Sequence, residues 1–283
     1  MAPLGVVAIV AAILSMLAYS RRPTKSFRVD VQFAISLLAF AVLWFATASP
    51  FAREGMSSLP IHMIGHVLVM FVVPMGVVGS GFLRSLWWIL DAPARRRLLS
   101  WWYRGRSWRA PKWLFNPYVA ALVLNGVMVT AHLSSVFDFV MARTWAMDWL
   151  MEPAFLLSGL FFFHVLIPSL PRVSRVPLRA QLVMVVATMA EMVILAMAMS
   201  IFTKSSWYSV MTPHPGMLAM PGMATTPAAA FSQQRLAAAI LWICGDVWAI
   251  PCLVLIVRRV IAKDGSIFAA LERQSARLSG VAG

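Results

Sequence analysis

Two histidines four residues apart, His62 and His66, stand near the start of the apolar stretch LPIHMIGHVLVM (59–70). In an α-helix positions i and i+4 share one face, with Cβ atoms about 6 Å apart, so both imidazoles can reach one metal ion. Met70 continues that face one turn further on. A third histidine, His132, falls near the end of another apolar stretch. A proline- and glycine-rich segment then reads M-x-x-H-x-x-M-x-x-M-x-x-M, from Met211 through His214, Met217 and Met220 to Met223. Thioether and imidazole together form a donor set suited to Cu(I), which prefers soft ligands. A calcium or magnesium site would need several carboxylates, and the whole chain has only 10 Asp and Glu. His62 and His66 alone would give a linear Cu(I) site, and His132 from a second helix would make it trigonal. Two other readings use the same residues. Histidines in apolar helices can simply hydrogen-bond neighbouring helices, and a histidine pair from two helices can ligate haem as in a membrane b-type cytochrome. A single haem has no use for the methionine segment. A second haem would need another histidine pair at the opposite end, where only His164 is available.

The elements that must position these residues are membrane spans. Of the 283 residues, 61% are hydrophobic and 12% charged, whereas soluble domains carry about 25% charged residues. Apolar runs of span length recur at 2–19, 31–48, 61–82, 117–137, 150–170, 180–202 and 236–257. This pattern predicts an all-α polytopic membrane protein, a single integral domain over 1–283 with seven transmembrane helices. Twenty of the 24 Lys and Arg fall in the connections 20–30, 83–116 and 171–179 and in the C-terminal tail; only Arg53, Arg143, Lys204 and Arg235 fall on the other side. The positive-inside rule therefore puts the N-terminus outside and the C-terminus in the cytoplasm, in an inner or plasma membrane. The net charge of +14 is on this reading a topology signal rather than a nucleic-acid footprint. At 95–112 the basic residues are interleaved with Trp101, Trp102, Tyr103 and Trp108, which suits contact with anionic lipid. The N-terminus MAPLGVVAIV lacks a basic leader region, so the first span is expected to be retained.

This topology gives each reactive residue a depth. His62, His66 and His132 lie near the outer face, His214 lies in the external segment 203–235, and His164 lies towards the cytoplasm. Four prolines and two glycines are expected to rule out a regular helix across 203–235, while DAPARRRLLSWWYRGRSWR in the basic loop 83–116 should form an amphipathic helix on the inner leaflet. Pro74 and Pro251 should kink their spans unless neighbours satisfy the freed carbonyls. Cys244 and Cys252 share one helix about 12 Å apart, too far for a disulfide. Glu191 and Asp246 fall near mid-membrane, where an acid is either neutral, paired through a shared proton, or part of an ion or proton relay. Glu152 sits on the outer rim.

IHMIGHVLVMFVVPMGVVG (61–79) and NPYVAALVLNGVMVTAHLSSVFD (116–138) resemble motifs of the CtaG-like assembly factors of caa-type cytochrome c oxidase. The first resembles that family's His-Met-x-x-His-Leu-Leu-Leu-Met followed by Pro and Gly. The second is similar to its Trp-His-Leu-Pro span, with His132 in the histidine position. MEPAFLLSGLFFFHVLIP (151–168) and SQQRLAAAILWICGDVW (232–248) extend the likeness, which runs from about residue 30 to 257. The chain departs from the family pattern at Ala131 (tryptophan), Ser134 (proline), Pro153 (often histidine) and Ser232 (aspartate), which bears on any ligand role for Glu152, Gln233 or Gln234. The resemblance implies a membrane factor for copper delivery to, or assembly of, a haem–copper oxidase, with an oxidase subunit or another copper protein as partner at the outer face; no nucleophile-and-base pair or phosphate loop stands out in the sequence, so no enzyme is expected. A copper permease, with Glu191, Asp246 and His164 on its path, and a b-type haem protein are the alternatives.

Overall fold

The computed structural model describes residues 2–104, 116–167, 176–209, 224, 226–266 and 272. Among them every regular element is helical. The first hairpin is α1 (Pro3–Ser20) and α2 (Phe27–Ala48), and a short α3 (Pro50–Glu54) leads into the third span. That span is composite: α4 (Leu59–Val67), a π-helical turn (Leu68–Val72), α5 (Val73–Ser80), α6 (Phe82–Ser85) and a 3₁₀ turn at Leu86–Trp88. The expected amphipathic helix follows as α7 (Ala92–Arg104); the rest of that loop, with Trp108, lies outside the described residues. After it come α8 (Pro117–His132), α9 (Ser134–Met141), α10 (Thr144–Ala146), a second π-helical turn (Met147–Met151), α11 (Glu152–Leu166), α12 (Leu178–Ser200) and α13 (Pro227–Asp264).

Among the described residues six helices are long and apolar enough to cross a membrane, and the bent pair α8–α9 is the seventh span if counted as one. Two sequence expectations change here. The fourth span was expected to run unbroken over 117–137, but the chain turns by 74° between α8 and α9, at Leu133. Leu133 is extended (φ −62°, ψ 128°), which ends the helix directly after His132. The second change is that a regular helix does enter the 203–235 segment, because α13 starts at Pro227. Proline at a helix start sacrifices no hydrogen bond, and the Thr226 side chain accepts from the Ala229 N–H at 3.1 Å. Met211, His214, Met217, Met220 and Met223 lie outside the described residues.

Helices in lipid associate through close backbone approach and interhelical hydrogen bonds, and both are present. A Cβ added to Gly76 of α5 would lie 2.9 Å from Ala39 Cβ on α2. The hydroxyls of Ser15 and Ser36 pair at 2.6 Å between α1 and α2, and Thr188 of α12 donates to Asn125 Oδ1 of α8 at 2.9 Å. In the centre, Trp248 of α13 stacks on Phe71 at 4.9 Å between centroids and donates its indole N–H to Met192 Sδ.

The closest crossing joins the third span to α11. In an α-helix Pro74 has no N–H to offer the Met70 carbonyl, and its ring crowds that oxygen. The π-helical turn just before Pro74 absorbs the conflict, and Gly159 of α11 sits against the displaced carbonyl. A Cβ at Gly159 would collide with Met70 O and stand 2.7 Å from Pro74 Cγ. The second π-helical turn likewise stops two residues before a proline, Pro153. Pro251, by contrast, lies inside the continuous helix α13.

A candidate metal centre at one end of the bundle

His62 and His66 both fall on α4, as their spacing predicts, and both are buried. Their ring centroids are 4.0 Å apart. The bend after α8 leaves His132 as that helix's last residue, 4% exposed and near enough to interact electrostatically with both. Its Nδ1 lies 2.7 Å from the Met128 carbonyl. A carbonyl only accepts, so Nδ1 carries the proton and Nε2 carries a lone pair. That Nε2 is buried and has no hydrogen-bond partner among the described residues. His62 likewise has a buried Nε2 with no hydrogen-bond partner among the described residues. Both ring nitrogens of His66 are buried and unpartnered as well. Histidines that ligate metals are typically held as His132 is, one nitrogen on a backbone carbonyl and the other free for the metal.

Between α3, α4 and α11 lies a cavity of about 30 Å³ lined by His62, His66, Glu152, Met147 and Phe155. It is water-sized. Glu152, the first residue of α11, contributes a buried carboxylate oxygen with no partner. The structure thus joins Glu152 to the histidine pair, although sequence placed it only on the outer rim. Among the described residues no three His, Cys, Asp or Glu side chains already stand around one point as a metal cage, so a three-histidine site requires ring rotation. Met70 is buried inside the first π-helical turn, one turn deeper than His66.

The stretch leading into the methionine segment is fastened beside this cluster. Tyr208, 1% exposed, donates to the His132 carbonyl at 3.5 Å and packs on Phe137 at 4.0 Å between centroids; Phe137 in turn meets His62. Ser209 donates through both N–H and hydroxyl to Asp138 Oδ2. Gln234, fully buried, accepts from the Trp207 N–H and donates to the Met199 carbonyl, each at 2.7 Å. Gln234 is therefore a structural clamp rather than a ligand. Burial, with Asp138 nearby, pushes the Tyr208 phenol well above its ordinary value.

With this geometry established, comparison with known families is decisive. A family described as cytochrome c oxidase caa3 assembly factor matches residues 5–263, nearly the whole chain. The chain belongs to that family. No curated protein matches it, and no solved structure does. As a caa3 assembly factor it has a role in building the oxidase, and its helices make it a multi-pass membrane protein. Two departures from the family pattern acquire a physical meaning. Ser134 opens α9 and the break at Leu133 forms without a proline there. Ala131 is one of the residues lining an apolar groove of about 560 Å³.

The remaining sequence candidates lie elsewhere in this assembly factor. Glu191 is half-buried on α12 and neither of its oxygens has a hydrogen-bond partner; Asp246 faces outward on α13. The two do not share a proton across a hydrogen bond. His164 is half-buried near the far end of α11. Cys244 and Cys252 are both free thiols, as their spacing requires. Sequence reasoning missed Tyr208, Phe137, Phe155 and both π-helical turns. Two prolines, Pro74 and Pro153, were the available signal for the latter.

Proposed function

We propose that this assembly factor binds Cu(I) at the histidine-lined end of the bundle and passes it to the oxidase during assembly. The observation that carries the reading is the state of the three imidazoles. His132 is tied to the backbone through Nδ1, and both His132 and His62 leave Nε2 buried and unpartnered, with the His66 ring 4.0 Å from that of His62. Burying polar atoms without partners is costly, and an ion accepting their lone pairs removes that cost. The neighbouring cavity of about 30 Å³ has the size of an ion or a water rather than of a haem. Glu152 offers a carboxylate at the same cavity.

Copper is cargo on this account. The Met211–Met223 segment captures it, and Tyr208 and Ser209, which precede that segment in the chain, are anchored beside the histidines. Transfer proceeds by ligand exchange, thioether to imidazole to the recipient's donors, with no free ion and no acid–base step. The positive-inside distribution puts this end outside, in a bacterial plasma membrane. A second reading, a copper permease, draws on the buried Cys252 thiol 3.9 Å from Met75 Sδ within the spans, a soft pair deeper in the bundle.

The test is the copper content and activity of the oxidase in cells lacking this chain. Delivery predicts copper-poor, weakly active oxidase, restored by excess copper or by wild-type chain but not by the His62→Ala/His66→Ala/His132→Ala variant. Fully metallated oxidase in those cells would overturn delivery. Copper uptake into vesicles that depends on Cys252 and Met75 would favour the permease.

A further inference from the structure

At the opposite end of the bundle from the histidines, α1, α2 and the α5–α6 corner enclose a second cavity of about 200 Å³. Arg22, just beyond α1, and Arg84, at the end of the third span, both line it. Its walls combine aromatic rings, among them Phe33 and Trp88, with the Ser15–Ser36 hydroxyl pair. Neither arginine has a carboxylate partner among the described residues. The nearest acid on α2, Asp30, is engaged by the Tyr19 hydroxyl at 2.7 Å. A third guanidinium adds to the positive charge. Arg22 and Arg95 lie over the same Trp88 ring, at 5.9 and 5.2 Å from its centroid, and Arg95 Nε is buried without a hydrogen-bond partner.

Like charges gathered on one indole repel, and cation–π attraction offsets only part of that. An anion among them removes the repulsion and supplies acceptors in the fork geometry guanidinium prefers. The cavity also has an apolar side between two helices, at the depth where spans end. Basic pockets between transmembrane helices are suited to phosphorylated headgroups.

We infer that the Arg22–Arg84 cavity binds the phosphate of an anionic phospholipid, with the first part of its acyl chain against Phe33 and Trp88. The site is independent of the copper centre.

The experiment is native mass spectrometry of the full chain in detergent, titrated with phosphatidylglycerol, with phosphatidylcholine, and separately with inorganic phosphate. Arg22→Gln/Arg84→Gln is compared with Arg96→Gln/Arg97→Gln, which removes the same charge from exposed positions of α7. Wild type is expected to prefer phosphatidylglycerol, and the cavity variant to bind it roughly thirtyfold more weakly, at about 1 kcal/mol per arginine. The α7 variant should keep the preference. Binding of inorganic phosphate that needs Arg22 and Arg84, without a lipid preference, would keep the phosphate chemistry and assign it to a free anion. Equal loss in both variants, or no preference for either phosphate source in wild type, would overturn the inference. Phosphorus analysis of wild type after detergent exchange needs no variant: retained anionic lipid supports the site, and its complete absence argues against it.

Discussion

Gly159→Ala adds one methyl group at the tightest crossing in the bundle, and its consequences can be followed from there to the histidines. The new Cβ would collide with the Met70 carbonyl and stand 2.7 Å from Pro74 Cγ. The obstacle is backbone and a proline ring, so no side chain can swing aside, and α11 must move away from the third span. A gap of about 0.5–1 Å forfeits a quarter to a half of each dispersion contact it opens. The contacts at risk include Phe71 with Phe163 and, one helical turn from Gly159, Phe155 with His66 at 4.4 Å between ring centroids. The loss should reach about 3 kcal/mol, the upper end for forced overpacking, or roughly a 5–10 °C fall in melting temperature for a chain of this size. Gly126→Ala is the control, since a Cβ there meets nothing within 4 Å, and alanine in a helix gains up to about 1 kcal/mol over glycine. Thermal unfolding in detergent, followed by helical circular dichroism, compares the two. Equal melting temperatures for wild type and Gly159→Ala would refute the crossing and, with it, the assignment of Phe155 as the wall of the histidine cavity.

Two further predictions concern the anchored stretch before the methionine segment. Gln234→Leu leaves the Trp207 N–H and the Met199 carbonyl without their partner and should cost about 2 kcal/mol, read as a lower melting temperature and faster proteolysis after Ser200. Tyr208→Phe tests the raised phenol. The folded state favours neutral Tyr208, so the unfolded chain ionises first, near the ordinary value of 10.0. Stability from this residue is therefore complete below about pH 10 and is lost as pH rises towards the folded value. Wild type should lose stability at alkaline pH more steeply than Tyr208→Phe, as measured by melting temperature against pH, and parallel curves would contradict this.

Much of this architecture was legible in the sequence because hydrocarbon imposes simple demands. A span must be about 20 apolar residues and satisfy its own backbone, so composition alone located the spans. The i, i+4 rule put His62 and His66 together for the same reason, since α4 is a regular helix where they stand. His132 was recognisable by depth, yet its role as the last residue before a 74° bend was not. Leu133 and Ser134 carry no breaker that would mark the turn in the sequence. The π-helical turns depend on the conflict between a proline and a carbonyl on a neighbouring turn, and its resolution needs the facing residue. At Met70 that residue is Gly159, 89 positions away in the chain. Glu152 joined the histidines only through such long-range packing. Pro227 was counted as a loop residue when it begins α13, because proline disrupts a helix interior but suits a helix start.

The central claim is that His62, His66 and His132 together hold copper. The direct measurement is the copper retained by detergent-purified protein after exposure to Cu(I) under reducing conditions, by elemental analysis, with wild type beside His62→Ala/His66→Ala/His132→Ala. The account predicts copper that survives desalting in wild type and is lost in the variant, with no Soret band in either. Equal retention by the two proteins, or no copper in wild type despite a folded chain, would contradict it.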